Sequence, residues 1–310
     1  MSASFILPCR EGRPYGALRV ACVLVTAWLL MLLPVAAAQA CNVRLGALSI
    51  TPVSYDPFAF APVSTHAEIS LDLDGDDGCA TTLRLVDASL AHIDTVSLGQ
   101  PGAVIFAVKS SEAGGVSVDP VAGTAIVSLS HDNRHAVVRW DFTLVQDAVL
   151  APGAYVAPLT VTARPDGASG DLMTKGALTL TTLPRAQVNI AGASGAFGQS
   201  RLPLLDFGTL TTGETRRAFV QVRANSPVTV QISSKNHGVM ANDDTPTASP
   251  IPYDLRLDGQ SVDLSGIARR AVDPPLTVDG VSLPMDITIG NVDGKMAGRY
   301  SDVITIDVSS

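Results

Sequence analysis

Twenty-three residues near the end of the chain repeat a phrase from its middle. Asp141-Phe-Thr-Leu, a turn, and Ala151-Pro-Gly-Ala-Tyr-Val-Ala-Pro-Leu-Thr-Val-Thr-Ala163 align without a gap on a second stretch. That stretch is Asp286-Ile-Thr-Ile, a turn, and Met296-Ala-Gly-Arg-Tyr-Ser-Asp-Val-Ile-Thr-Ile-Asp-Val308. Asp141 matches Asp286, Thr143 matches Thr288, Gly153 matches Gly298, Tyr155 matches Tyr300 and Thr160 matches Thr305, always 145 residues apart. A repeat of this kind implies two copies of one folding unit, and 310 residues suit two domains. Val303, Thr305 and Asp307 alternate with Ile304, Ile306 and Val308. A period of two makes this stretch a half-buried strand.

The copies differ in their downstream neighbours. After Ala163 comes a polar turn, Arg164-Pro-Asp-Gly-Ala-Ser-Gly-Asp171, and then a strand-like run, Lys175 to Leu183. After Val308 come only Ser309 and Ser310. The second copy is therefore expected to lack its closing strand. Tyr300, Ile304, Ile306 and Val308 would then line an apolar groove beside an unpaired edge, which accepts a strand from another chain.

Arg10, Arg13 and Arg19 precede the apolar run Val20 to Ala38, which ends in Ala38-Gln-Ala40. Basic flank, apolar stretch and A-x-A site together read as a secretory signal peptide over 1–40. Its removal takes three arginines and one glutamate, leaving 270 residues with 18 basic and 28 acidic side chains, a net charge of −10. Such a surface does not suit phosphate contacts, so nucleic acid is not an expected partner. Of four cysteines, Cys9 and Cys22 leave with the signal, and Cys41 and Cys79 stay. Two cysteines in an exported chain favour one disulfide, contributing about 3–4 kcal/mol in the chain-entropy model.

The mature chain reads as short strands between turns. His66-Ala-Glu-Ile-Ser-Leu-Asp-Leu73 and Cys79-Ala-Thr-Thr-Leu-Arg-Leu85 alternate about the turn Asp74 to Gly78 and suggest a hairpin. Arg217 to Arg223 and Val228 to Ile232 are their counterparts, with Ser226 where Cys79 stood. Pro184 to Ile190 forms the junction, as a stiff link or a shared strand. The expected fold is all-β, with two tandem immunoglobulin-like β-sandwich domains, the second lacking its last strand. The expected boundaries are 41–185 and 186–310.

Candidate chemistry is sparse. Asp72, Asp74, Asp76 and Asp77 have calcium-loop spacing, but Asp77 and Leu83 stand where that loop needs glycine and glutamate. An acidic hairpin tip explains them as well. His131 and His135 are four apart, a zinc spacing only on a helix, and here they flank a turn. No G-x-S-x-G occurs, and no carboxylate pair stands out. No enzyme activity, metal or cofactor is expected.

Two further features carry a resemblance. Cys41 and Cys79 bracket Tyr55-Asp-Pro57, and the chain closes on Ala297-Gly-Arg-Tyr-Ser-Asp-Val-Ile-Thr-Ile306. With Leu205-Asp-Phe-Gly-Thr-Leu210 and Pro252-Tyr-Asp-Leu-Arg-Leu-Asp-Gly259, these resemble the spore coat protein U (Csu-type) fimbrial family of archaic chaperone–usher pili. The resemblance covers most of the mature chain, twice. It implies a periplasmic chaperone, an outer-membrane usher and an adjacent shaft pilin that supplies a donor strand. Cys41 directly follows the expected cleavage site, so no donor segment precedes it. A subunit that accepts a strand and gives none sits at the pilus tip. The resemblance thus implies an exported tip adhesin, attaching to host or abiotic surfaces in biofilm formation. The second copy departs from the family in having no cysteine pair, and the chain ends in serine rather than an aromatic residue. The alternatives are a minor pilus subunit and a free secreted β-sandwich module binding glycan or calcium.

Surface binding is expected in the first domain. Its apolar stretches Gly99 to Phe106 and Ala148 to Pro152 make Val104, Ile105, Phe106, Val149 and Leu150 the candidate contacts.

Overall fold

The computed structural model describes residues 41–310 apart from 60, 76, 100–103, 112–115, 120–122, 200 and 203. The signal-peptide reading of 1–40 lies outside the described residues, as does Asp76. Every regular element among the described residues is a β-strand. The first half contributes β1 (Val43–Leu45), β2 (Ser49–Ile50), β3 (Val53–Tyr55), β4 (Ser64–Leu73), β5 (Cys79–Val86) and β6 (Thr95–Leu98). It continues with β7 (Val104–Ser111), β8 (Val116–Asp119), β9 (Thr124–Leu129), β10 (His135–Gln146), β11 (Gly153–Pro165) and β12 (Leu172–Thr182). The second half contributes β13 (Ala186–Ala191), β14 (Thr215–Ala224), β15 (Val228–Ser234), β16 (Val239–Asn242) and β17 (Ile251–Leu257). It ends with β18 (Gln260–Val262), β19 (Ala268–Val272), β20 (Val281–Ile289), β21 (Tyr300–Ser301) and β22 (Ile304–Ser309).

Alternation makes these strands two-faced. Along β4, Ala67, Ile69 and Leu71 are buried while Glu68 and Ser70 turn outward; β17 alternates in the same way. Each half buries such faces between two sheets. In the first half, one sheet has the order β1-β4-β10-β7-β6, with β2 also on β4, and the other has β3-β12-β11-β5-β9-β8. Between them Trp140, Phe106, Phe142, Leu83, Leu178 and Leu180 lose almost all solvent contact. In the second half the orders are β13-β14-β20-β17-β16-β21, with β18 on β17, and β19-β15-β22. Val220, Val222, Val230, Ile232, Leu255 and Leu257 fill that core. The two cores share no residue, and no ladder among the described residues joins one half to the other.

The repeat is visible strand by strand. β4-β10-β7 in one half matches β14-β20-β17 in the other, and β11-β5-β9 matches β22-β15-β19. Tyr155 donates its hydroxyl to Ala151 O at 2.8 Å, and Tyr300 donates to Met296 O at 3.0 Å. Gly153 and Gly298 hold φ of 154° and 149°, a conformation that a side chain resists.

The expected hairpin of 66–73 with 79–85 is corrected. β4 and β5 lie in opposite sheets, as do β14 and β15, so each turn arches across the core. The inward faces of both strands are apolar, and alternation is equally consistent with paired neighbours and with facing ones. The junction 184–190 is not a strand shared between the halves: from Ala186 on it is β13, which pairs antiparallel with β14 inside the second half, leaving only Pro184 and Arg185 as a link.

Residues 41–310 nevertheless form one compact unit. Asn225, buried at the junction, donates its amide to Leu150 O and Leu183 O at 3.1 and 3.0 Å and accepts from Arg185 N at 2.7 Å. Arg185 pairs with Asp56 at 3.0 Å. The Arg223 guanidinium lies between two aromatic rings, 4.8 Å from the centroid of Phe58 and 4.3 Å from that of Phe197.

Candidate functional site: an open strand edge

β11 and β22 occupy equivalent places in the two copies, but their surroundings differ. β11 pairs on one side with β5, from Thr160↔Val86 to Pro165↔Thr81. On its other side it pairs with β12 along its length, from Gly153↔Thr182 to Ala163↔Leu172. Among the described residues β22 pairs with β15 alone, from Ile304↔Ser234 to Thr229↔Ser309. No described strand lies where β12 would be. Among the described residues one backbone edge of β22 therefore has no partner strand.

The side chains report the same difference. Leu159, Val161 and Ala163 are buried in the first half, at 3%, 0% and 0% exposure. Ile304, Ile306 and Val308 stand 145 residues further on and are only half-buried against the second core. Val188 and Ile190 of β13 are likewise half-buried and apolar, and they face the groove from the opposite sheet. Of the four residues expected to line an acceptor groove, Ile304, Ile306 and Val308 are half-buried on β22 beside its edge without a described partner, whereas Tyr300 lies on β21, paired with β16 in the other sheet. Val188 and Ile190 were not among them, because neither lies in the repeated phrase.

A polar knot closes one end of the groove. Asp302 Oδ2 accepts hydroxyl hydrogen bonds from Ser234 at 2.5 Å and Tyr253 at 2.6 Å. Its Oδ1 accepts from the backbone N–H groups of Asn236 and Val303 at 3.0 and 2.8 Å. Burial, reinforced by the Asp302 hydrogen bond, pushes the Tyr253 hydroxyl well above its ordinary value, so it stays a donor. At Asp302 the strand also changes sheets: Tyr300 and Ser301 pair with β16, whereas Ile304 onward pairs with β15. The sequence reads 303–308 as a strand, and the ladder on β15 starts at Ile304, just after the inward-facing carboxylate.

The disulfide joins Cys41 and Cys79, whose Cα atoms are 5.4 Å apart. It ties the segment before β1 to the start of β5, across the two sheets of the first half.

The expected surface-binding residues are placed differently from their reading as exposed loops. Val104, Ile105 and Phe106 open β7; Val104 and Phe106 are fully buried and Ile105 is half-buried. Val149 and Leu150 are buried too, at 8% and 6% exposure. Their loop is fixed from two sides. Tyr55 donates its hydroxyl to Ala148 O at 2.7 Å and accepts from Ala148 N at 3.2 Å, while Leu150 O accepts from Asn225. An apolar run is read equally well as a core strand or an exposed patch, and here burial wins. Residues 100–103 of the first stretch lie outside the described residues.

Among the described residues no group of three or more metal-ligating side chains converges. His135 faces Asp72 at 2.8 Å, and Asp74 accepts from Arg44 at 3.4 Å. No helix among the described residues is long and apolar enough to cross a membrane.

No protein-family model and no curated protein matches the sequence. Solved structures do. One is a chain of the CsuC–CsuE chaperone–tip adhesion subunit pre-assembly complex from the archaic chaperone–usher Csu pili of Acinetobacter baumannii. It matches at 13% identity and TM-score 0.43, covering 87% of this chain and 100% of that one. The CupB6 tip adhesin of Pseudomonas aeruginosa matches at 12% identity and TM-score 0.35, covering 86% of this chain and 94% of that one. AggA, the major subunit of aggregative adherence fimbriae type I of Escherichia coli, matches at 16% identity and TM-score 0.31, covering 46% and 97%.

Proposed function

We propose that this chain is the tip adhesin of an archaic chaperone–usher pilus. Residues 41–185 form a self-closed adhesin domain, and residues 186–310 form an immunoglobulin-like pilin domain that takes its last strand from the adjacent shaft subunit. One observation carries the reading: in two copies of a single fold, β11 is covered by β12 and β22 by no described strand. An incoming strand would satisfy the free edge of β22 and cover Ile304, Ile306 and Val308 together with Val188 and Ile190. Covering an aliphatic side chain fully contributes roughly 1.5–3 kcal/mol, so several half-covered ones matter to a domain whose whole stability is about 5–15 kcal/mol. Before assembly the same groove would be held by a periplasmic chaperone, and the outer-membrane usher would exchange one strand for the other. The first half has no such need. Its first described segment lies in its own sheet, with β1 on β4 and Cys41 bonded to Cys79. That leaves one acceptor edge of this kind among the described residues and a closed domain facing away from the shaft, the arrangement a tip subunit requires. Attachment to a surface and biofilm formation follow as its role at the cell exterior.

Co-expression with the chaperone, usher and shaft subunits of the same pilus tests this. The expected result is a one-to-one periplasmic complex with the chaperone, and then a single copy at the end of each fibre. A soluble monomer indifferent to all three would overturn the proposal.

A further inference from the structure

An edge strand with a single neighbour is prone to fraying, yet an acceptor edge has to be in place before its partner arrives. In the first half this problem does not arise, because β12 flanks β11 and the strand runs unbroken from Gly153 to Pro165. The residue 145 positions before Asp302 is Ala157, which has no polar side chain to offer. A second exchange accompanies this one. Leu144 pairs with Phe106 in β10–β7, and Ile289, its repeat equivalent, pairs with Tyr253 in β20–β17. Thus Phe106 and Ala157 of the closed half become Tyr253 and Asp302 in the open half. Ser234, at the end of β15, completes the set and is itself fixed by a hydrogen bond from Gly238 N at 2.7 Å.

We infer that Asp302 is a positioning residue for strand acceptance: with Tyr253 and Ser234 it tethers the start of β22 to both sheets, so the open edge stays formed while no strand covers it. The geometry supports each part. Tyr253 belongs to the larger sheet and Ser234 to the smaller one, and a single carboxylate oxygen accepts from both. The other oxygen holds Asn236 N and Val303 N, fixing the backbone where the strand leaves β16 and joins β15. Lys235 N donates to Val303 O at 2.9 Å and extends that ladder. With each oxygen already accepting two hydrogen bonds, the carboxylate asks nothing of an incoming strand, so it serves the empty state. Hydrogen bonds to a charged acceptor in a half-buried site are the strong ones, which suits a tether.

This inference rests on the donor-strand reading, and one experiment separates the two. Amide hydrogen exchange is followed in the full chain purified from periplasm, for wild type, Asp302→Ala and the milder Asp302→Asn. Each is measured free and with a peptide of the β12 sequence, Leu172–Thr182, which closes the equivalent edge in the first half. In the free chain Asp302→Ala is expected to speed exchange over Ile304–Ser309 by about tenfold to a hundredfold, with Asp302→Asn between it and wild type. Val281–Ile289 should be unchanged. With peptide bound, the variants should return to within about threefold of wild type, because the added ladder replaces the tether. Unchanged exchange over Ile304–Ser309, or a rise shared equally by β20, overturns the inference. So does a variant defect that persists in full with peptide bound. A wild-type chain that ignores the peptide counts against the donor-strand reading instead, and the free-chain comparison then decides the tether by itself. Should Asp302→Ala fail to fold, Asp302→Asn and Ser234→Ala carry the same comparison.

Discussion

β11 and β22 are copies of one strand placed in two environments. Val161 faces Leu85 on one side and lies beside β12 on the other, and it is fully buried. Ile306 faces Ile232 in the same way and stays half-exposed, because no described strand covers its second flank. The side chains are of similar character, so intrinsic propensity does not separate them. Strand completion does. The first half holds its closing strand, whereas β22 has no second neighbour among the described residues.

The largest expected effect comes from removing the difference. Appending a copy of residues 164–182, the turn and β12, directly behind Val308 should close the second half in cis. Covering the groove should raise the melting temperature of that half by about 15 °C or more, read by calorimetry. An unchanged melting temperature would break the equivalence of the two edges.

The converse experiment opens the first half. Leu178 and Leu180 are fully buried on β12, so Leu178→Ala with Leu180→Ala should cost about 4–8 kcal/mol, at roughly 2–4 kcal/mol each, in denaturant melts. Ile306→Ala should cost less than about 1.5 kcal/mol in the free chain and more once a strand covers it. Equal costs at all three positions would contradict the comparison.

The disulfide sharpens the contrast further, since only the first half has one. Cys41 and Cys79 are 38 residues apart, so replacing both by serine should cost about 3–4 kcal/mol in the first half. The unfolding of the second half should not move, because Ser226 occupies the corresponding place.

The smallest effect concerns acid. Asp141 and Asp286 are repeat equivalents with different partners. Asp286 is held below the usual carboxylate range by its hydrogen bond with Arg217, at 2.6 Å across the β14–β20 ladder. Burial works to raise Asp141, but the Ser111 hydroxyl and the Arg139 guanidinium outweigh it and lower it as well. A depressed carboxylate stabilises the fold above its unfolded pKa of about 4, and that stability is lost as the pH falls through the folded value. Arg217→Gln should therefore reduce stability only slightly at neutral pH, where the surface pair is solvent-screened, and not at all near pH 2. Urea melts at the two pH values check this.

Much of this was legible in the sequence, because an ungapped repeat fixes equivalences that the fold then honours. The strand character of 304–308, the Tyr300 and Gly298 geometry and the cysteine pair all arise from residue pattern. Three features did not. Val149 and Leu150 read as an exposed loop, and Val104 to Phe106 as either a core strand or an exposed stretch, because burial depends on what folds over a segment and no local pattern reports that. The arches between β4 and β5 and between β14 and β15 read as hairpins, since alternation gives the inward face but not the partner strand. The change of sheet at Asp302 falls just before the alternating run and left no mark in its period of two. Its signal was present only as a contrast, an aspartate at an inward position where the other copy has Ala157. Comparing the two copies for changes of polarity at inward positions would have found it.

The most direct test of the central difference is amide exchange measured in one sample over both strands, Leu159–Pro165 and Ile304–Ser309, before and after a donor strand is supplied by a shaft subunit. The second segment is expected to exchange at least about a hundredfold faster than the first in the free chain, and to approach the first once the strand is bound. Equal protection of the two segments in the free chain, with no change when the shaft subunit is added, would contradict the open-edge reading.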